Sequence, residues 1–219
     1  MRDQLKDYFE QFYSADHSVQ HLKMGYVRFD PHPHNHVDLA FHFLHSENNL
    51  GSVLELGSGA GTLLYSVIAA KRPFDRYVAS DYSGPCVDYI KKQFSDPRVS
   101  VRQIDAQNPP EELHEQFDTI IVIALIEHLV DLLYAMVEIR KLLKPGGKIY
   151  IDTPNIARLT RRIKLLLGQL PSTAAQAEGL LGYDGRPVDL YGESRLHNFT
   201  YASFWPRMFS ELAMVAYVD

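Results

Sequence analysis

The segment Val53-Leu54-Glu55-Leu56-Gly57-Ser58-Gly59-Ala60-Gly61 joins a short apolar run to glycines at every second position. The apolar run predicts a buried parallel strand. Glycines allow a tight turn and let a ligand approach the backbone without a Cβ in the way. A helical pattern follows over residues 62–70, and the first turn of a helix offers unpaired N–H groups. The segment therefore predicts a strand, a turn and a helix, with a ligand at the turn.

Glu55 distinguishes this turn from a dinucleotide-binding loop. Dinucleotide loops have the spacing G-x-G-x-x-G and place a pyrophosphate at the helix N-terminus. Here the spacing is G-x-G-x-G, with an acid two residues before Gly57. A carboxylate repels a phosphate and attracts an ammonium group. The turn fits a ligand with a cationic amino-acid end and a ribose, and a plain strand–helix turn without a ligand is the alternative.

The composition predicts a globular protein of one domain that works in the cytoplasm. The chain has 219 residues, 46% of them hydrophobic and 22% charged. Its net charge of −5 and lack of a basic run disfavour a nucleic-acid partner. With one cysteine, Cys86, it forms no intrachain disulfide. The polar start at residues 1–7 is unlike a signal peptide, and no apolar run reaches the ~20 residues of a membrane helix, so no membrane contact is expected.

Four later segments also predict strands, at residues 76–81, 98–104, 117–124 and 148–152. They alternate with helical patterns, and Lys144-Pro145-Gly146-Gly147 is expected to end the helix over 132–143. This alternation predicts an α/β fold with a doubly wound, mostly parallel sheet and helices on both faces. In such sheets, ligands bind at the carboxyl ends of the strands.

Acidic and polar residues occur at those carboxyl ends. An acid about 20 residues past the glycines holds ribose hydroxyls in nucleotide-binding units, and Asp81 lies at a comparable separation. Asp81 also suits a cap for the helix predicted over 83–94. Asp105 suits the amino group of an adenine, while residues 127–128 and Asn155 follow the last two strands. The pattern predicts a nucleoside site at this edge of the sheet.

In order and spacing, these motifs resemble the class I S-adenosylmethionine-dependent methyltransferases, which are Rossmann-like. The resemblance covers roughly residues 35–155 and is carried by residues 53–61, Asp81, Asp105-Ala106, 117–129 and 142–154. The phrases FDTIIVIALIEHL and LLKPGGKIYIDTPN are similar to the small-molecule branch of that family. A looser similarity connects the chain to methionine-biosynthesis protein W.

The resemblance implies S-adenosyl-L-methionine as cofactor and S-adenosyl-L-homocysteine as product. It implies that the cofactor-binding residues are Glu55, Gly57, Ser58 and Gly59 for the methionine part, Asp81 for the ribose, Asp105 and Ala106 for the adenine, Ala124 and Leu125 for the other side of the cofactor, and also Tyr82. His128, the histidine of the EHL phrase, points toward the substrate in relatives. The usual C-x-x-V-x-E-H lead-in is replaced here by residues 123–128, a change that cofactor binding is expected to tolerate.

The expected organisation is a single methyltransferase domain over residues 1–219. It comprises an N-terminal cap helix and loop (1–34), a cofactor-binding core (35–154), a substrate-covering insertion (155–199) and a last helix and strand (200–219). His197 lies in the phrase LHNFT, which resembles the H-x-x-F-T of small-molecule methyltransferases, and it either contacts substrate or fixes the loop. The final strand lacks a partner in the sequence, so the C-terminal strand pair is expected to be incomplete, and its exposed edge favours a homodimer.

The predicted activity is methyl transfer to an oxygen or nitrogen of a small molecule. His128 is the first candidate for a general base and His197 the second. A structural zinc site at His32, His34 and His36 is an alternative to a solvent- or substrate-facing loop, and no metal is expected.

Three other functions are alternatives to methyl transfer to a small molecule. The first is a non-catalytic, cofactor-binding regulatory protein of the protein W type. The second is an oxidoreductase, which the G-x-G-x-G spacing disfavours. The third is a nucleic-acid methyltransferase, disfavoured by the negative charge and because Asn108-Pro109-Pro110 follows the third predicted strand instead of the fourth.

Overall fold

The computed structural model describes residues 36–153 and 159–167. In chain order the elements are α1 (His36–Ser46), β1 (Ser52–Leu56), α2 (Thr62–Ala69), β2 (Arg76–Asp81), α3 (Gly84–Gln93), β3 (Val99–Gln103), a 3-10 helix (Glu111–Leu113), β4 (Phe117–Ile123), a second 3-10 helix (Ile126–His128), α4 (Leu132–Leu142), β5 (Leu143–Asp152) and α5 (Leu159–Leu166). None of the helices described is long and apolar enough to cross a membrane. The predicted N-terminal helix, C-terminal helix and sixth strand lie outside these residues.

The chain divides into two compact units. The described part of the first unit comprises residues 36–125 and 133–152, which include the whole sheet. The described part of the second unit comprises residues 126–132, Thr153 and 159–167, which include the second 3-10 helix and α5.

The five strands form one parallel sheet in the order β3-β2-β1-β4-β5. The predicted fold class, an α/β Rossmann-like sheet, is therefore confirmed. Because all strands run in one direction, their carboxyl ends lie at one edge. The chain order reverses between β1 and β4, and ligands of doubly wound sheets bind where this reversal leaves a crevice.

The central strands β1, β2 and β4 are largely buried on both faces, which agrees with their mostly apolar sequences, whereas β3 at the edge is more exposed. On one face the strands pack with α1 and α2 around a core that includes Val53, Ala79 and Ile121. Side chains alternate between faces along a strand, and those on the opposite face, Leu54, Leu56, Ile120 and Val122, are also buried. The sheet thus forms a packed scaffold for the loops at its carboxyl edge.

The start of β5 differs from the prediction. The strand begins at Leu143, which pairs with Phe117, and regular pairing resumes at Thr119 and Lys148 after a register shift. Gly146, with a φ of 79°, lies in the irregular stretch between these pairs. The predicted start at Lys148 is wrong because the turn residues are taken into an irregular strand instead of forming a separate loop.

Candidate functional site

The glycine loop after β1 has the backbone conformation that its sequence requires. Gly57, Gly59 and Gly61 have φ values of 73°, 52° and 77°, in the left-handed region that favours glycine. The N–H of Ser58 donates to the carbonyl of Ser80 (2.8 Å), which fixes the loop to the end of β2. A Cβ built on Gly59 would have no neighbour within 4 Å, so open space lies beside the loop.

Gly57 also lies close to the residues after β4. A Cβ on Gly57 would lie 3.3 Å from the two terminal methyl carbons of Leu125. This distance is shorter than a comfortable carbon–carbon contact. The absence of a side chain at Gly57 therefore lets the glycine loop and the end of β4 approach each other.

We expect Gly57→Ala to weaken binding of S-adenosylhomocysteine and to destabilise the protein by about 1 kcal/mol or more, because alanine disfavours a left-handed φ. Gly146→Ala is the matched control: its φ is 79°, yet an added Cβ would meet nothing within 4 Å. Urea unfolding and calorimetric titration of both variants measure the two effects. Equal loss of ligand affinity in both variants would contradict a local role for Gly57.

Asp81, the last residue of β2, connects the glycine loop to the start of α3. Its two carboxylate oxygens accept hydrogen bonds from the N–H groups of Gly59 (2.9 Å) and Ser83 (2.8 Å). Burial raises the pKa of this carboxyl, and the N–H groups of Ser83, Gly59 and Tyr82 oppose that rise. Each carboxylate oxygen has a second lone pair, so Asp81 can still accept two hydroxyl groups.

Asp81 is not itself the N-cap residue of α3, which is the alternative role that the sequence predicts for it. Ser83 occupies the N-cap position of α3 and makes no side-chain cap hydrogen bond. Asp81 instead accepts the N–H of Ser83 from two residues before, as in an Asx turn.

The ends of β2 and β3 are also joined by hydrogen bonds. The side-chain amide of Gln103 donates to the carbonyl of Tyr82 (2.8 Å). The N–H of Gln107 donates to a carboxylate oxygen of Asp105 (2.8 Å), and Ala106 between them is buried. These contacts fix the backbone at the positions predicted to contact an adenine.

The end of β4 has an unusual backbone. Ala124 has a φ of 46°, in the left-handed region that non-glycine residues rarely adopt. Its N–H donates to the carbonyl of Asp152 at the end of β5 (3.0 Å). Such conformations persist where the surrounding structure holds them, and they cluster at ligand sites.

The structure places all ten predicted cofactor residues at the carboxyl edge of the first unit. Glu55 is the last residue but one of β1, and the others end or follow four strands: Gly57, Ser58 and Gly59 at β1, Asp81 and Tyr82 at β2, Asp105 and Ala106 at β3, and Ala124 and Leu125 at β4. The chemistry of this set fits S-adenosylmethionine, since it offers an acid for an ammonium group, a carboxylate for hydroxyls and open space beside glycine.

Sequence reasoning missed the partner of Glu55. The hydroxyl of Tyr77 donates to Glu55 Oε2 (2.7 Å), and both residues are buried. Burial raises the pKa of Glu55 to about 7, hydrogen bonds from Tyr77 and Ser58 oppose the rise, and the charge of Asp81 adds to it. The two partners are 22 positions apart, so no local pattern revealed the pair.

A second missed pair joins α1 to β5. His36 Nδ1 contacts Asp152 Oδ1, although 116 positions separate the residues. Asp152 is the last residue of β5, and its side chain is 12% exposed, whereas that of His36 is 51% exposed. His36 and Asp152 therefore form a histidine–carboxylate pair one strand away from Ala124.

The remaining predicted site residues are distributed as follows. His128 ends the second 3-10 helix, in the second unit. His197 lies outside the described residues, as do His32 and His34 of the predicted histidine loop. Within residues 36–153 and 159–167, no group of three metal-ligating side chains forms a metal site.

Curated relatives of this chain include an O-methyltransferase and much longer synthases, among them the compactin diketide synthase mlcB of Penicillium citrinum, which is 25% identical over 113 residues (48% of this chain and 4% of that protein). The ubiquinone biosynthesis O-methyltransferase of Pseudomonas syringae pv. tomato is 28% identical over 103 residues, which are 47% of this chain and 44% of that enzyme. The matched segment is less than half the length of each of several curated relatives.

The solved structures that share the fold include the following two. One is a chain of the complex between the Haloferax volcanii Trm112 methyltransferase activator and a methyltransferase (TM-score 0.64, 15% identity, covering 93% of this chain and 74% of that chain). The other is the CurJ carbon methyltransferase (TM-score 0.52, 16% identity, covering 80% and 44%).

A family model described as a methyltransferase domain matches residues 33–184, which is more than half of the chain. The match includes the complete sheet and every strand end described above. This chain therefore belongs to the methyltransferase-domain family.

Proposed function

We propose that this enzyme transfers the methyl group of S-adenosylmethionine to an oxygen or nitrogen atom of a small-molecule acceptor. The observation that supports this most is the convergence of a buried acid, a glycine loop and Asp81 at the strand-order reversal. Similarity to an O-methyltransferase over 103 residues favours an oxygen acceptor.

In the proposed site, Glu55 pairs with the ammonium group and Asp81 accepts the ribose hydroxyls. Asp105 and Ala106 contact the adenine, and Leu125 lies on the other side. The bound cofactor supplies a methyl group on a positively charged sulfur, which needs no further activation. The chain therefore has to hold the donor, align an acceptor in line with the methyl carbon and keep water out.

A hydroxyl acceptor also needs a base, and three histidines are candidates. His128 and His197 are proposed from the resemblance. The structure adds His36, because Asp152 on Nδ1 favours the tautomer whose proton is on Nδ1 and whose lone pair is on Nε2. A base oriented by a carboxylate is a recurrent arrangement in acid–base catalysis. An amine acceptor needs only alignment.

Methyl transfer from radiolabelled S-adenosylmethionine to phenols, carboxylic acids and amines tests this function. The three candidate bases are tested with a phenol acceptor as His36→Gln, His128→Gln and His197→Gln. The variant that removes the base should have a kcat lower by roughly 10²–10⁴-fold. His45→Gln, an exposed histidine in the last turn of α1, is the control. Cofactor binding without transfer to any acceptor would instead support the regulatory alternative, and transfer to an activated carbon would contradict the oxygen or nitrogen assignment.

We also propose that residues 1–34 and 155–199 cover the acceptor and that the four segments form one domain. Loops over the ligand edge of a rigid sheet usually determine specificity. Exchange of residues 155–199 for the equivalent segment of another small-molecule methyltransferase should then change the acceptor and keep the cofactor.

A further inference from the structure

We propose that Tyr77 is a positioning residue whose hydroxyl favours the charged form of the Glu55 carboxyl and orients it for the ammonium group of the cofactor. Tyr77 itself makes no contact with the cofactor in this proposal and acts through Glu55. The inference rests on the proposed assignment of Glu55 to the methionine end of the cofactor.

The geometry of the pair is fixed by the sheet. Tyr77 is paired with Val53 and Glu55 with Ala79, so the two side chains are diagonal neighbours on one face of β1 and β2. The Tyr77 ring is fully buried and packs edge-on against Phe74, with 5.8 Å between ring centroids. The hydroxyl is therefore held in place, 2.7 Å from Glu55 Oε2.

Within residues 36–153 and 159–167, no cation acts on Glu55 to balance its charge. The titratable groups that act on it are Tyr77 and Asp81, both on β2, and Asp81 is itself an acid. Its cross-strand neighbour on β4 is Ile121. The hydrophobic cluster on this face includes six residues of α1 and α2: Ala40, Phe41, Leu44, Leu63, Leu64 and Val67. Among the groups that lower the pKa of Glu55, the hydroxyl of Tyr77 has the largest effect, so it is the main group that stabilises the Glu55 carboxylate.

This arrangement couples cofactor binding to a proton. With a pKa near 7, the Glu55 carboxyl of the empty protein is protonated in a large fraction of molecules at neutral pH. An ammonium group stabilises the carboxylate, so binding must expel the proton from that fraction. Without the Tyr77 hydroxyl, the pKa of the Glu55 carboxyl would be higher. The carboxyl would then stay protonated to a higher pH, and the ammonium group of the ligand would bind it less well.

The test is calorimetric titration with S-adenosylhomocysteine, which carries the same ammonium group but no transferable methyl. Titrations from about pH 6 to about pH 8.5, in buffers with different ionisation enthalpies, give both the affinity and the number of protons released. We expect the wild type to bind more tightly as the pH rises and to release a fraction of a proton near neutrality. Tyr77→Phe should bind about 10-fold more weakly near pH 7 and recover most of this loss at the highest pH.

Two further variants make the result specific. Tyr150→Phe removes the hydroxyl of another partly buried sheet tyrosine, one that packs on Phe43, and should leave the pH profile unchanged. Glu55→Gln should weaken binding at every pH and abolish proton release. If Tyr77→Phe does not fold, proton release by the wild type that is absent in Glu55→Gln still tests the coupling.

The outcomes separate the two levels of the proposal. A Tyr77→Phe profile that coincides with that of the wild type, or is weaker by the same factor at every pH, would overturn the positioning role while Glu55 keeps its assignment. Wild-type affinity in Glu55→Gln would overturn the assignment of Glu55 and, with it, this inference.

Discussion

Replacement of Asp81 by alanine should weaken S-adenosylmethionine binding by at least roughly 100-fold, because hydrogen bonds from two ribose hydroxyls to a charged carboxylate are lost at about 1.5–3 kcal/mol each. The substitution also removes the acceptor for the N–H groups of Gly59 and Ser83, so the glycine loop loses one of its connections to β2. Calorimetric titration with S-adenosylmethionine measures the loss directly.

Two variants calibrate the effect of Asp81→Ala. Asp81→Asn keeps the shape of the side chain and one acceptor oxygen, and should lose less affinity. Asp88→Ala changes an exposed acid on α3 and should bind as the wild type does. Circular dichroism would show whether each variant keeps its fold. A fall of less than about threefold in a folded Asp81→Ala would be inconsistent with two charged hydrogen bonds to the ribose.

Glu55→Gln should have opposite effects on stability and on cofactor binding. Glu55 is buried, no cation among the residues that the structure describes acts on it, and burial raises its pKa from 4.5 to about 7. The folded state therefore binds more protons than the unfolded state between these values, so stability falls as the pH rises through this window. At 1.36 kcal/mol per pKa unit, the unfolding free energy of the wild type falls by about 3 kcal/mol at most across this window. Glutamine does not ionise, so Glu55→Gln avoids this loss.

Urea unfolding of the wild type and Glu55→Gln, without ligand, at several values between about pH 4.5 and about pH 8 tests this expectation. The gain from glutamine should be largest above pH 7 and absent near the lower limit, where both side chains are neutral. A difference in unfolding free energy that does not change with pH would show that Glu55 is not titrating in this window. Such a stabilised but binding-deficient variant is the expected pattern for a site residue that is strained in the empty state.

Much of the fold could be predicted from the chain because its strands are short, apolar and followed by turn residues. The ends of β1, β2 and β4 agree with the prediction within one residue. The start of β5 could not be predicted, since Leu143 joins the sheet through a pairing with Phe117 that has no local signature. Turn chemistry at Gly146 favours a loop, and tertiary pairing prevails over it.

The candidate site, too, could be predicted only in part. The positions of Gly57, Asp81 and Asp105 follow from spacing and from the family resemblance, and their roles stay predictions until the variants are measured. The contacts of Tyr77 with Glu55 and of His36 with Asp152 join distant parts of the chain. Only the sheet register and the packing of α1 bring them together, so no window of sequence contains the information.

The reversal of strand order between β1 and β4 has an evolutionary consequence. Every residue proposed to bind the methyl donor lies between Glu55 and Leu125, in one uninterrupted piece of chain. Natural selection can therefore retain this segment while the flanking segments diverge to suit new acceptors. Enzymes that act on different acceptors can then share this donor-binding segment and differ in the rest of the chain.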